Sequence, residues 1–121
     1  MAVSKTTNFS LVRDINGYNG FGLDFAWYNK TAQITVGLAA SYTVPSNFQN
    51  WIAIFGIEPG ASVWVALNAT AAVPVGATFA DSTSELNPVG RFVQAGDVIS
   101  CITPDATANV SISLYAIGNY S

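Results

Sequence analysis

Few residues in this chain could do acid–base or metal chemistry, and they do not fall into a working pattern. The 121 residues include no histidine, the side chain that most often serves as general base and as neutral metal ligand near neutral pH. A Ser-His-Asp or Cys-His nucleophilic arrangement is therefore excluded. Cys101 is the one cysteine, and a tetrahedral zinc site needs several Cys, His or carboxylate ligands. It cannot form an intrachain disulfide. Its setting, Val98-Ile99-Ser100-Cys101-Ile102, is that of a small buried hydrophobe in a strand rather than of a reactive thiol.

The carboxylates remain. Asp81 and Glu85 fall in one Ser/Thr-rich segment, where a glycosidase pair or a hard-cation site would need two such groups, and where solvated loop carboxylates are the plainer expectation. Asp14 and Asp24 flank Ile15-Asn16-Gly17-Tyr18-Asn19-Gly20 without the regular spacing of a calcium loop. Asp97 follows Gly96 and Asp105 follows Pro104, positions where aspartate stabilises turns. Asn-Gly-Tyr-Asn-Gly matches neither the P-loop nor the dinucleotide-binding glycine pattern. No catalytic, metal or cofactor residues are assigned.

Period-two alternation recurs along the chain without sustained helical periodicity, which marks an all-β protein. Phe21, Leu23, Phe25 and Trp27 share one strand face, and Ala32, Ile34, Val36 and Leu38 the next, with Asn29-Lys30 as the turn of a hairpin between them. Tyr42-Thr43-Val44 stops at Pro45 and leads to the unbroken apolar run Trp51–Ile57, the pattern of a strand covered on both faces. Glu58-Pro59-Gly60 has the residues of a type II turn. Strands are expected at Val63–Leu67, Ala71–Val73, Gly90–Gln94, Asp97–Thr103 and Asn109–Ile117, with Val110, Ile112, Leu114 and Ala116 on one face of the last. The long connection from Pro74 to Pro88 is expected to carry the chain from one sheet to the other. The expected architecture is an antiparallel β-sandwich of Greek-key or jelly-roll type with about eight strands, formed by residues 11–121, preceded by a polar arm over residues 1–10.

Composition bounds the function. Half of the residues are apolar, whereas charged residues make up 9%, against roughly 25% in an average soluble domain. A folded monomer of this mass exposes roughly 6,200 Å², on the order of 500 Å² per charge. Lys and Glu are depleted in interface cores, so a surface this neutral is expected to be covered by copies of the chain or by a partner; the alternative is a surface kept soluble by Ser, Thr and Asn alone. The four basic residues, Lys5, Arg13, Lys30 and Arg91, are scattered and the net charge is −3, which argues against nucleic acid as a partner. No apolar stretch is long enough for a transmembrane helix and the N-terminal residues lack the pattern of a signal peptide, so no membrane association and production in a cytoplasm are expected. The Asn-x-Ser/Thr sequons at Asn8, Asn29, Asn68, Asn109 and Asn119 are assigned no function.

The succession Tyr42-Thr43-Val44-Pro45, Val63-Trp64-Val65-Ala66-Leu67-Asn68-Ala69-Thr70-Ala71-Ala72-Val73-Pro74, Asn87-Pro88-Val89-Gly90-Arg91 and Gly96-Asp97-Val98-Ile99-Ser100 resembles small proteins of tailed bacteriophages that are encoded beside capsid genes, the head decoration or cement proteins. The resemblance runs over residues 40 to 117. It implies a jelly-roll sandwich made in the host cytoplasm that sits on the exterior of the virion capsid, bridges subunits of the major capsid protein, and associates as a homo-oligomer, a dimer or trimer. Such a protein stabilises its shell and needs no enzyme activity and no cofactor.

Interface residues are expected among the aromatic side chains at strand ends and in loops and along the arm: Lys5, Phe9, Tyr18, Tyr28 and Phe48. Trp27, Trp51 and Trp64 fall in strands, where burial is expected for at least two. The alternative function is a carbohydrate-binding, lectin-like module of a phage or bacterial surface protein. That reading requires a shallow cluster of at least two exposed aromatics beside amide groups.

Overall fold

The structure, a computed structural model, describes the backbone of residues 11–13, 19–21 and 25–117, and the side chains of 25–117. Ten strands are present among them: β1 Leu11–Arg13, β2 Asn19–Phe21, β3 Tyr28–Thr35, β4 Ala40–Thr43, β5 Asn50–Ile57, β6 Trp64–Leu67, β7 Ser84–Leu86, β8 Gly90–Gln94, β9 Val98–Ile102 and β10 Thr107–Ile117. β1 and β2 form a two-stranded antiparallel ladder. The other eight form two four-stranded sheets, ordered β3-β10-β5-β8 and β4-β9-β6-β7.

This order has a simple logic. β6 pairs with β7, β5 with β8, β4 with β9 and β3 with β10, all antiparallel. The chain is thus a set of nested hairpins, wound so that every connection except β6 to β7 crosses between the sheets, which is the jelly roll. The cross-links β10–β5 and β6–β9 then join the nested pairs into sheets.

Alternation along the strands builds the core. Trp51, Ala53 and Phe55 of β5 and Val110, Ile112, Leu114 and Ala116 of β10 point inward, against Val65, Ile99 and Cys101 of the opposite sheet. Trp51 is fully buried, and its indole N–H donates to the carbonyls of Pro45 and Phe48 at 3.2 and 3.0 Å, so burial leaves no polar atom of this ring unsatisfied. Its neighbours Trp27, Tyr28 and Phe48 close that part of the core, with ring centroids 4.9 to 5.7 Å apart. Trp64 instead lies half-buried outside the core cluster, so Trp51 and Trp27 are the two that pack on the core.

Several sequence expectations are corrected. Asn29 and Lys30 are no turn but part of β3, which pairs with β10 rather than with the segment before it. Their polarity has another cause: Asn29 faces outward and accepts a 2.8 Å hydrogen bond from the Ser113 hydroxyl, while Lys30 faces the opposite way. The long connection does lead from one sheet to the other, β6 to β8, but only after an unexpected strand within it. Ser84–Leu86 inside it is strand β7, paired to β6 in the same sheet; a short edge strand is held by its backbone ladder and carries no apolar pattern to read. Ala71–Val73 is no strand either. It lies across the sheet, with the Ala71 and Ala72 N–H groups donating to the Ser100 and Ser84 hydroxyls at 2.9 and 3.2 Å.

Other expectations are met. Ala61 N–H donates to the Glu58 carbonyl at 3.0 Å with Gly60 at φ +84°, the type II turn that Pro-Gly favours. Asp97 holds the β8–β9 turn, accepting from Gln94 N–H at 2.8 Å. Asp105 accepts from Ser62 N–H at 2.9 Å.

Candidate interaction surface

The expected interface residues divide in two. Lys5, Phe9 and Tyr18, and the arm over residues 1–10, lie outside the described residues, as do Asp14 and Asp24. Tyr28 and Phe48 lie together, half-buried, in the aromatic group around Trp51. Asp81 and Glu85 line different clefts, and among the described residues no three His, Cys, Asp or Glu side chains gather into a metal site. No helix among the described residues is long and apolar enough to cross a membrane.

The placement of charge is the most informative property of the surface. The side chains of 25–117 include seven charges, and six of them have partners inside the molecule. Glu58 accepts from the backbone and side-chain N–H groups of Asn109 at 3.0 and 3.1 Å. Asp97 and Asp105 hold the turns described above. Lys30, Arg91 and Glu85 act at the two open sides of the sandwich, where edge strands of the facing sheets come together.

At one side Arg91 of β8 and Glu85 of β7 both point inward, being paired across their ladders with the buried Ala53 and Val65. Their side chains meet across the gap, with Nη2 and Nε both on Oε1 at 2.7 and 2.8 Å. At the other side Lys30 of β3 points inward, its ammonium 5.6 Å from the Tyr28 ring centre and 5.8 Å from that of Tyr42 on β4. One seam is closed by an ion pair and the other by a cation on two phenol rings. Burial raises the Tyr42 hydroxyl above its ordinary pKa, with the neighbouring Tyr28 adding to the effect. Inward-pointing charges on edge strands also discourage edge-to-edge sheet pairing.

Among the described side chains, Asp81 is the one charge with no ion-pair, hydrogen-bond or cation–π partner there. The clefts behind the two seams have volumes of about 210 and 230 Å³, below the roughly 300–1,000 Å³ of small-molecule pockets.

Two surfaces poor in charge remain. The first is the outer face of the β3-β10-β5-β8 sheet. Alternation places on it Tyr115, Ile52 and Phe92 in one cross-strand row, Asn29, Ser113, Ile54 and Gly90 in the next, and Thr31, Ser111 and Gly56 beyond. Its one charge among the described side chains is Glu58, at the end of β5, which is bound to Asn109. Phe92 is 56% exposed, while Ile52, Ile54 and Tyr115 are half-buried. The expectation that β5 is covered on both faces is therefore met on one face only: among the described residues nothing lies over Ile52 and Ile54.

The second surface is the excursion between β6 and β7. No charged residue lies between Glu58 and Asp81, and within that stretch Val75 and Phe79 stand fully in solvent, at 94% and 109% exposure. Its start is fixed by Asn68, which adopts φ 57° and binds Val98 with both backbone and side chain: its N–H donates to the Val98 carbonyl at 2.7 Å and its Oδ1 accepts from Val98 N–H at 2.8 Å. At the other end of the β6–β7 ladder Asn87, just after β7 and at φ 46°, holds Val63 in the same way.

None of Ile52, Ile54, Val75, Phe79, Phe92 and Tyr115 was expected as a surface residue. The charge-free stretch from Glu58 to Asp81 was a legible signal for Val75 and Phe79. Those on the sheet are not separable by sequence from core residues of the same strands.

Comparison with protein-family models, with curated proteins and with solved structures finds no match for this chain.

Proposed function

We propose that the chain is a non-enzymatic structural protein that binds and stabilises the outside of a bacteriophage capsid, a head decoration or cement protein whose partner is the major capsid protein and whose place is the virion exterior. The observation that carries this reading is the use of charge. Six of the seven charges on the described side chains are engaged inside the molecule, which leaves a broad sheet face whose one charge, Glu58 at its end, is already bound to Asn109, and a protruding loop whose one charge is Asp81. Surfaces of that composition are interface surfaces. The jelly roll and the resemblance of residues 40 to 117 give the class of partner.

The mechanism is linkage. A module that binds only the mature shell stabilises it by RT ln(1 + [L]/Kd) per site, about 2.7 kcal/mol at a hundredfold excess over Kd. Phe79 and Val75 are well placed as anchors, since a few buried apolar or aromatic side chains carry most of an interface's energy. The test is heat- or chelator-induced DNA release from phage heads with and without the purified chain. Protected heads are expected, and equal release would remove the reading.

A second reading, a carbohydrate-binding module, draws on one observation: Tyr115 and Phe92 flank Ile52 on a sheet face, with the amides of Asn50 and Gln94 in the adjacent row. A glycan-array screen separates the two, since the cement reading expects no binder.

A further inference from the structure

We infer that the cleft behind the Lys30 seam binds a medium-chain monocarboxylate, with the hydrocarbon between the two sheets and the carboxylate at the mouth. The surfaces proposed above for a capsid partner take no part in it.

The cleft follows from what two edge strands turn inward. On β3 the inward residues are Lys30, Ala32 and Ile34, opposite Ile112, Val110 and Ala108 of β10. On β4 they are Ala40 and Tyr42, opposite Cys101 and Ile99 of β9. All of these ladder partners are buried, which fixes the direction of the edge-strand side chains. At one end of the seam Lys30 reaches over the Tyr42 ring. At the other end the chain itself crosses between the sheets after β3, held by the N–H groups of Val36 and Gly37 on the carbonyls of Ala106 and Thr103 at 3.1 and 3.3 Å. Between these two closures stand Ala32 and Ala40, whose methyl groups leave the gap unfilled. Ala32 stays exposed although it points toward the core. The result is a slot open to solvent, with a volume of about 230 Å³.

The chemistry of the slot selects its occupant. Ile34, Ile99, Cys101, Val110 and Ile112 line it and offer water almost no hydrogen-bond partner. The volume is less than that of a drug-sized pocket but exceeds the roughly 150 Å³ of an apolar cavity that stays dry and takes benzene. At that filling, about 25 Å³ per heavy atom, the slot takes about nine heavy atoms. From Lys30 to Ile34 the strand runs about 13 Å, so the shape suits an extended chain. One cation stands at the mouth. Lys30 rests on two phenol rings, and the one ion pair among the described residues is Arg91–Glu85, so the ammonium has no carboxylate partner there. Tyr42 lines the same slot, and its hydroxyl, whose pKa burial raises, stays a hydrogen-bond donor. A hydrocarbon chain ending in a single carboxylate satisfies both halves of the site, with a charge-assisted contact at the head. The opposite seam has a cleft of similar size, but there Glu85 already holds the cation.

Calorimetric titration of the full-length chain with straight-chain carboxylates from butanoate to dodecanoate tests this. One site per chain is expected, tightening about fourfold with each methylene buried and levelling off near nine carbons, where the slot is full. Lys30→Gln, at an exposed position, should weaken octanoate by about tenfold or more and leave the neutral octanol unchanged. Ala32→Leu, which puts a larger side chain into the slot, should abolish binding of both without lowering the melting temperature. Arg91→Gln at the other seam should change neither. Absence of saturable octanoate binding overturns the inference. So does a Lys30→Gln variant with wild-type affinity, or an affinity that keeps rising through dodecanoate, which marks a greasy surface and not a bounded slot. If Ala32→Leu fails to fold, the Lys30→Gln comparison and the chain-length series decide the matter. Titration decides this site whatever the head-release assay returns, and head release decides the capsid reading whatever titration returns.

Discussion

Asn68 holds the root of the excursion that presents Val75 and Phe79, and its replacement separates two energetic effects. The residue sits at φ 57°, in the left-handed region where a Cβ-bearing residue without a compensating side chain costs about 1–2 kcal/mol. Its amide accepts from Val98 N–H at 2.8 Å and donates to Asp97 Oδ1 at 3.1 Å. Both bonds are at the solvent-exposed edge, so each is taken at the low end, about 0.5–1 kcal/mol. Asn68→Gly loses the bonds but relieves the backbone, and its greater freedom when unfolded costs about 0.5 kcal/mol, for a total of about 2 kcal/mol. Asn68→Ala loses the same bonds and also carries the left-handed penalty, for a total of about 3 kcal/mol. Asn68→Asp keeps the acceptor for Val98 but turns a carboxylate toward Asp97, and its loss is expected to shrink in high salt. The assay is urea unfolding at neutral pH with thermal melts alongside. Alanine should melt below glycine by about 3–6 °C for a gap of about 1 kcal/mol in a domain of this size. An alanine variant as stable as the glycine variant would refute the reasoning, because backbone strain at this position would then be no part of the account.

Phe79→Ser, at a fully exposed position, should change unfolding stability by less than about 0.5 kcal/mol while reducing binding to phage heads at least tenfold, as measured by co-sedimentation. Glu85→Gln should cost only about 0.5 kcal/mol, since the Arg91 pair is half-exposed, and the loss should fade in high salt. Cys101 gives the pH dependence. Burial raises its thiol from 9.0 to about 11, so the unfolded chain ionises first as pH rises. The stability that the protonated thiol represents is complete below pH 9 and is lost as pH climbs toward 11. Cys101→Ala should flatten this part of the curve of stability against pH, and the native thiol should react with a disulfide reagent at neutral pH only as fast as the protein opens. Replacing Trp51 with Phe should cost about 1–3 kcal/mol, because the Pro45 and Phe48 carbonyls lose their donor inside a closed core.

The sandwich was legible because its central strands carry strong period-two patterns. Val110, Ile112, Leu114 and Ala116 announce one face of β10, and all are buried. The edges were not legible. β7 is Ser-Glu-Leu, a strand only because Val65 and its neighbours offer a free ladder. Asn29-Lys30 is turn-like by residue type and strand by partner, since pairing with β10 is fixed some eighty positions away. The scarcity of charge was legible, but which charges would be used up in seams such as Arg91–Glu85 depends on strand order, which no local pattern encodes. Aromatic type did not separate packing from exposure. Tyr28 and Phe48 are chiefly packing residues around Trp51, while Phe79 and Phe92 stand outside.

Nested pairing also governs when the fold can exist at all. β10 lies between β3 and β5, yet it is the last of these strands to leave the ribosome. Until Ile117 has been made, two strands wait with unpaired backbone for a neighbour they share, and contacts of such long sequence separation form slowly. A nascent chain would therefore be a poor binder and a ready target for proteases, and removing β10 should leave no smaller native unit. Emergence of β10 and acquisition of the native form would fall within one narrow interval.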